Sequence, residues 1–411
     1  MTQSVIWSPI SGGITTPSGF QAAGITAGLK ASGKPDLSLL LAPKDAVCAG
    51  TFTTSVVRAG CVDLCAERLQ DASGGVRAVL TNSGQANACT GDRGRVDSVR
   101  ATQVVGDLLG LSEDQVLICS TGVIGVPIAM DILLPALDPL VTLLSPDGGA
   151  AAAQAILTTD LVEKQIAFEA ELGGLRVRIG GMAKGSGMIH PDMATMLGYL
   201  TCDVAVPASI WQSIVSRAVE RSFNAITVDG DTSTNDTFLA FAAGEPLSSD
   251  QFEALEHGVT LVAQHLARAI ARDGEGATCL IEVQVEGAAS EADALCLART
   301  ICGSSLVKTA VHGRDPNWGR IVAAAGRAGV DFSADAVALW IGPHQLMSVG
   351  QPLSFDRPAA SAYLSDRARG RYLVDDTVQI RLTVGGGSGC GIAWGCDLSD
   401  QYVRINADYT T

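Results

Sequence analysis

Four polar, glycine-punctuated segments place hydroxyls, amides and carboxylates where a folding core has no use for them: residues 82–91 (NSGQANACTG), 119–125 (CSTGVIG), 184–195 (KGSGMIHPDMAT) and 227–236 (TVDGDTSTND). In the second, Thr121 and Gly122 follow the apolar run Val116 to Ile118. They therefore sit at the end of a predicted strand, where backbone N–H groups are free to point at an oxyanion. The same letters also fit a plain strand-to-loop turn. The third segment offers a threonine hydroxyl, Thr195, which is a nucleophile only if a neighbouring group activates it. It also fits a glycine-rich loop entering a helix at Pro191-Asp192, with Met193, Met196 and Leu197 as the apolar face. The fourth reads as a pair of Asx-type turns. Taken singly, Lys184 and Glu275 are solvated loop charges.

Taken together and in this order, the segments resemble the ornithine acetyltransferase family, the glutamate N-acetyltransferases of arginine biosynthesis. The resemblance runs from Gly12-Gly13 to Thr411. Its longest motif is KGSGMIHPDMATML, from Lys184 to Leu197. The others are NSGQANAC (82–89), STGVIG (120–125), TVDGDTSTND (227–236), DGEGAT (273–278), DPNWGR (315–320) and the tail INADYTT (405–411). The sequence departs from the family pattern at Asp192, where asparagine is more usual, and at Cys279, where lysine is. Neither is a nucleophile position, so these departures bear on cleavage rate and site electrostatics.

The resemblance implies an α/β fold, a layered α-β-β-α sandwich, and self-cleavage between Ala194 and Thr195 into an α chain of 1–194 and a β chain of 195–411. It implies that Thr195 carries an acetyl group from N2-acetyl-L-ornithine to L-glutamate by a ping-pong route. Thr121 and Gly122 would form the oxyanion hole, and Thr158, Lys184, Thr195, Glu275, Asn406 and Thr411 would contact substrate. Thr159, beside Thr158, competes for that assignment. The resemblance also implies a heterotetramer of two α and two β chains, with no cofactor and no metal; some members take acetyl-CoA as a second acetyl donor, which leaves that choice open here. An alternative of similar architecture is a self-processing aminopeptidase or amide hydrolase, in which water resolves the acyl-enzyme.

The chemistry is self-consistent. Cleavage needs a hydroxyl that reaches the preceding carbonyl carbon, a sharply turned backbone and donors for the oxyanion. Once cut, Thr195 owns both a hydroxyl and an α-amine whose reference pKa of about 7.7–8.0 suits a general base. No Ser-His-Asp triad is then required. A lysine and a glutamate would hold an amino acid by its carboxylate and its amine.

Elements must position these groups. Period-two alternation predicts strands at Val76 to Thr81, Leu175 to Ile179, Leu280 to Val285, Val337 to Ile341 and Val378 to Val384. Apolar residues at helical spacing predict amphipathic helices through Val96 to Leu109, Ile210 to Ala218 and Leu261 to Ile270. The alanine- and glycine-rich stretch Pro146 to Ala155 reads as a loop running into a helix start. The loop Gly385 to Gly391 lacks the Lys-Ser/Thr ending of a P-loop, and the letters after it do not announce a helix.

Hydrophobic residues make up 47% of the 411 and charged residues 17%, which predicts a sizeable core. The net charge of −15, with no basic run, argues against nucleic acid or an anionic membrane as partner. The opening MTQSVIWSPISGG has no basic or apolar leader pattern, so a cytoplasmic protein is expected. The 11 cysteines form no CxxC pair and read mostly as small buried hydrophobes in a reducing compartment. Five histidines at unhelpful spacings give a zinc site little to stand on.

Overall fold

The structure, a computed structural model, describes residues 5–71, 75–190 and 196–407. The first part of the chain forms β1 (Ser8–Ile10), β2 (Gln21–Ile25), β3 (Leu37–Leu41), β4 (Val47–Phe52), α1 (Gly60–Asp71), β5 (Ala78–Gln85), α2 (Gly91–Leu109), β6 (Val116–Val123), α3 (Met130–Thr142), α4 (Gly149–Ala155), β7 (Lys164–Leu172) and β8 (Leu175–Lys184). After residue 195 follow β9 (Leu197–Ala205), α5 (Ala208–Glu220), β10 (Thr237–Pro246), α6 (Phe252–Arg272), β11 (Leu280–Ala288), α7 (Glu291–Cys302), α8 (Ser305–His312) and α9 (Trp318–Gly326). The chain ends with β12 (Ala338–Ile341), β13 (His344–Ser348), β14 (Gln351–Pro352), α10 (Arg357–Arg367), β15 (Thr377–Thr383), β16 (Gly389–Cys396) and α11 (Asp400–Ala407).

Strand residues alternate between two apolar layers. In β5 and β6, Val79, Leu117 and Cys119 face one core while Ala78, Leu80, Val116 and Ile118 face another. The same holds in β10, where Leu239 and Phe241 face the first core and Phe238, Ala240 and Ala242 face a third. Both sheets are thus covered on two sides, which is why their strands read as nearly continuous apolar runs. Sheet β2-β3-β5-β6 packs on sheet β1-β7-β8-β9-β10-β4 through the shared core of Phe20, Leu40, Val79, Tyr199 and Phe241. The outer faces are covered by α1, α2 and α3 on one side and by α5 and α6 on the other. The fold is therefore α/β, a sandwich in the layer order α-β-β-α.

A third sheet, β14-β13-β12-β15-β11-β16, carries its own core with α7, α8, α9 and α10, and is tied to the sandwich where α6 meets Leu280 and Trp394. All five predicted strands are present, as β5, β8, β11, β12 and β15, and the three predicted helices are α2, α5 and α6. The Pro146 to Ala155 stretch gives the short helix α4. The Gly385 to Gly391 loop runs into β16, an extended strand paired with β11 rather than a helix.

One sequence expectation is corrected. Leu197 does not lie on a helix face: it opens β9, paired with Lys184 of β8 and Thr237 of β10, and Met196 before it is buried. Two neighbouring strands with free edges at this point override the local helical spacing. Of the cysteines, seven are buried, Cys48 and Cys296 half-buried, and Cys89 and Cys390 exposed. Among the described residues no single helix is long and apolar enough to cross a membrane.

Candidate active site

Six of the residues singled out in the sequence meet in one cavity of about 160 Å³: Thr121, Gly122, Thr158, Lys184, Glu275 and Asn406. Thr159 joins Thr158 in the wall, with Ala86, Ile124, Gly187, Met188, Ser233, Thr234 and Asn235. Ala194, Thr195, Asp192 and Thr411 lie outside the described residues. The chain enters that undescribed stretch just after the cavity-lining Gly187 and Met188.

Each wall residue is placed by a different element. Thr121 and Gly122 end β6, whose parallel pairing with β5 continues to their level, Ser83 facing Thr121 and Gly84 facing Gly122. Gly122 has a φ of 128°, and a Cβ there would stand 2.3 Å from the Gly84 carbonyl carbon, so only glycine lets the two strand ends close up. The Asn235 amide ties the same edge to the start of β10, donating from Nδ2 to Ala86 O at 2.6 Å and to Ser120 O at 2.8 Å. By holding the Ser120 carbonyl, it fixes the plane of the peptide that carries the Thr121 N–H.

Lys184 ends β8 and is 3% exposed. Its Nζ donates to Thr121 Oγ1 at 3.1 Å. That bond occupies a lone pair of the hydroxyl and leaves its proton to point elsewhere. Burial lowers the Lys184 pKa; the Asp160 carboxylate opposes this, Lys164 adds to it, and Asp236 and Glu275 oppose it further. Asp160 is itself held well below the ordinary carboxylate range: burial pushes it up, but Lys164 and Lys184 together overcome that. It orders the loop below the cavity, accepting the Thr158 N–H at 3.0 Å, the Gly185 N–H at 2.7 Å and Lys164 Nζ at 2.7 Å.

Glu275 enters from the turn after α6, its N–H donating to Ser186 O at 3.1 Å. A Cβ at Gly187 would lie 2.6 Å from the Glu275 carboxylate, so the glycine clears its path. Opposite, Asn406 of α11 donates from Nδ2 to Glu275 Oε2 at 2.7 Å. A buried ammonium and a carboxylate thus line one small cavity beside a polarised hydroxyl. The arrangement suits a small molecule carrying both charges.

The sequence reading missed the two carboxylates that grip the chain around residues 191–195. Asp229 accepts the Met188 N–H at 2.6 Å and the Ile189 N–H at 2.9 Å, and Asp236 accepts the Met196 N–H at 3.0 Å. Met188 is held at a φ of 58°, a left-handed conformation costly for a side chain of its size. The expected Asx-type turn is present at Asp229, whose Oδ1 also accepts the Asp231 N–H at 3.3 Å; Asp236, which abuts the apolar start of β10, departs from that reading. Cys279 is fully buried in the core of the third sheet, its N–H donating to Asp397 Oδ1 at 3.1 Å, and is not among the residues lining the cavity.

The comparisons of sequence point to one family. The ArgJ family model matches residues 21–411. The chain is similar to the arginine biosynthesis bifunctional protein ArgJ of Prochlorococcus marinus (strain MIT 9313), 72% identical over 406 residues, covering 99% of this chain and 95% of that protein. Among solved structures it is similar to the arginine biosynthesis bifunctional protein argJ of Bacillus halodurans, at 41% identity and TM-score 0.47, covering 51% of this chain and 97% of that one. It is also similar to the ornithine acetyltransferase complexed with ornithine from Mycobacterium tuberculosis, at 38% identity and TM-score 0.42, covering 45% of this chain and 98% of that one. With a family model spanning most of its length and relatives of this identity along nearly all of it, the chain belongs to the ArgJ family.

Proposed function

We propose that the chain is a glutamate N-acetyltransferase of arginine biosynthesis that cuts itself between Ala194 and Thr195 and then carries acetyl from N2-acetyl-L-ornithine to L-glutamate on Thr195. The observation that carries this reading is the convergence of Thr121, Gly122, Thr158, Lys184, Glu275 and Asn406 on one cavity, from segments spread over most of the chain. Nothing in a folding core requires a lysine, a glutamate and a threonine hydroxyl to face one another across a small space.

The steps follow from the groups present. The Thr195 hydroxyl attacks the carbonyl carbon of Ala194, the carbon–nitrogen bond between them breaks to free the Thr195 amine, and water hydrolyses the resulting ester to free the hydroxyl and the Ala194 carboxylate. That amine then takes the hydroxyl proton as Thr195 attacks the acetyl carbon of N-acetylornithine. The Thr121 hydroxyl, with its oxygen already bonded to Lys184, and the Gly122 N–H donate to the oxyanion. Lys184 binds the substrate carboxylate, while Glu275, held by Asn406, binds an amine. Ornithine leaves and glutamate takes the acetyl group from the same ester. Acetyl-CoA is included in the proposal as a second donor, and no cofactor or metal enters the scheme.

A denaturing gel with N-terminal sequencing tests the first step: two bands, each about half of 42.3 kDa, one beginning Thr-Met-Leu-Gly, are expected. Thr195→Ala should leave a single band and no transfer. An uncut, fully active protein would end the proposal. Steady-state rates with N-acetylornithine or acetyl-CoA as donor test the rest, with acetyl transfer to glutamate expected to exceed acetate release. The reverse ratio would point to hydrolysis as the function.

A further inference from the structure

The active cavity suits one proposed substrate better than the other. N2-acetyl-L-ornithine has one carboxylate for Lys184 and one free amine for Glu275. L-Glutamate has a second carboxylate where ornithine has that amine, and beside Glu275 it would meet a like charge. Among the described residues in the cavity wall, Lys184 is the one cation. The second carboxylate therefore needs a cation from beyond that wall.

A second cavity, of about 520 Å³, shares Gly122, Thr158 and Thr159 with the first and contains Lys30 and Lys34. Lys30 lies in the connection between β2 and β3 and is half-buried, while Lys34 is exposed. The Lys30 Nζ donates to Pro35 O at 2.7 Å and to Leu157 O at 2.6 Å, which leaves one of its three protons undirected. Leu157 directly precedes Thr158 in the wall of the active cavity. The connection is held firmly: Asp36 accepts the N–H groups of Ala27, Gly28, Leu29 and Lys30, and Gln85 Nε2 donates to Leu29 O at 2.8 Å. Among the described residues the hydrogen-bond partners of the Lys30 ammonium are thus two carbonyls and no carboxylate.

We propose that Lys30 sets the acceptor specificity, binding the side-chain carboxylate of L-glutamate while Lys184 binds its α-carboxylate. The inference rests on the acetyl-transfer reading above. The donor's amine goes to Glu275, and the acceptor's second carboxylate goes to the side where Thr158 and Thr159 stand. One acetyl-enzyme can then serve two side chains of opposite charge. The electrostatics fit: burial lowers the Lys30 pKa to about 8, Asp36 opposes this, Lys184 and Lys34 add to it, and Asp160 opposes it. A carboxylate arriving at the undirected proton offsets that burial.

In a ping-pong scheme kcat/KM for each substrate reports its own half-reaction, which makes the test selective. Lys30→Met should lower kcat/KM for glutamate about 30-fold and leave that for N2-acetyl-L-ornithine within about twofold of wild type. Glutamine, with a neutral amide in place of the second carboxylate, probes the charge. Wild type and Lys30→Arg should prefer glutamate to glutamine, and Lys30→Met should lose that preference. An equal loss for donor and acceptor, or a glutamate preference that survives in Lys30→Met, would overturn the inference and leave the acetyl-transfer reading standing. A wild type that acetylates no glutamate would overturn that reading and the inference with it. Should Lys30→Met fail to fold, Lys30→Gln, whose amide keeps a donor for each of the two carbonyls, replaces it with the same outcomes.

Discussion

Lys184 shows how one buried cation can serve two neighbours. Its ammonium donates to Thr121 Oγ1 and lies in the field of Asp160, with Glu275 in the wall of the same cavity. Lys184→Met fills the same volume without a charge, so the fold should hold while kcat/KM for both amino-acid substrates falls by about 100-fold, the cost of an unpaired substrate carboxylate being about 3 kcal/mol. Thr121→Val removes the hydroxyl at nearly constant shape, and kcat should drop by about 100- to 1,000-fold with KM little changed. Steady-state kinetics on the two variants separates binding from transition-state roles.

Asp160 gives a stability prediction with a definite sign. Its folded pKa is depressed below the unfolded value of about 3.9, so the stability it contributes is complete above that value and is lost as pH falls below it. Wild type should therefore lose thermal stability more steeply than Asp160→Asn below about pH 4, while Asp160→Asn is the less stable of the two at neutral pH. Parallel melting curves from pH 7 to pH 3 would settle it, and identical slopes would count against the Lys164–Asp160–Lys184 arrangement as its cause.

At the scale of elements, the site depends on how closely β5 and β6 approach at their carboxyl ends. Gly84 and Gly122 face each other in register, both at positive φ, and a methyl group at Gly122 would meet the Gly84 carbonyl carbon at 2.3 Å. Gly122→Ala should therefore part the strand ends, remove the backbone donor from its place and leave uncut precursor on a denaturing gel. Gly125→Ala, also at positive φ but with nothing near a Cβ, serves as the control and should cut normally. The strands themselves were legible because alternation and β-branched content carry through Val76 to Thr81 and Val116 to Ile118. The start of β9 was not. Met196 and Leu197 have helical spacing to Met193, and only the pairing of Leu197 with Lys184 and Thr237 decides for a strand.

On the scale of the whole molecule, the proposed cut would divide one sheet between two pieces. The order β1-β7-β8-β9-β10-β4 sets the two strands that follow residue 195, β9 and β10, between strands that precede it, with β8 paired to β9 and β10 to β4. Breaking one peptide bond leaves those ladders and the Phe20, Tyr199 and Phe241 core intact. The two pieces should co-elute in native size exclusion and separate only in denaturant; dissociation under native conditions would contradict the shared sheet. Mass measurement of the native species tests the proposed assembly of two α and two β chains. The last helix behaves differently: α11 contributes no buried residue, yet its Asn406 reaches Glu275. Removing residues 404–411 should leave the melting temperature nearly unchanged and raise KM for amino-acid substrates about tenfold or more.

The sequence by itself determined the family, the strands and helices with strong periodicity, and the polar residues that line the cavity, because each is written in local spacing or in contiguous motifs. Only the tertiary structure decided that Thr121, Lys184, Glu275 and Asn406 share one space, and that Asp229 and Asp236 hold the chain around residues 191–195. Those facts depend on pairings between segments far apart in the chain. A carboxylate's letter cannot say whether it ends in water or, like Asp236, against a backbone N–H in a closed core.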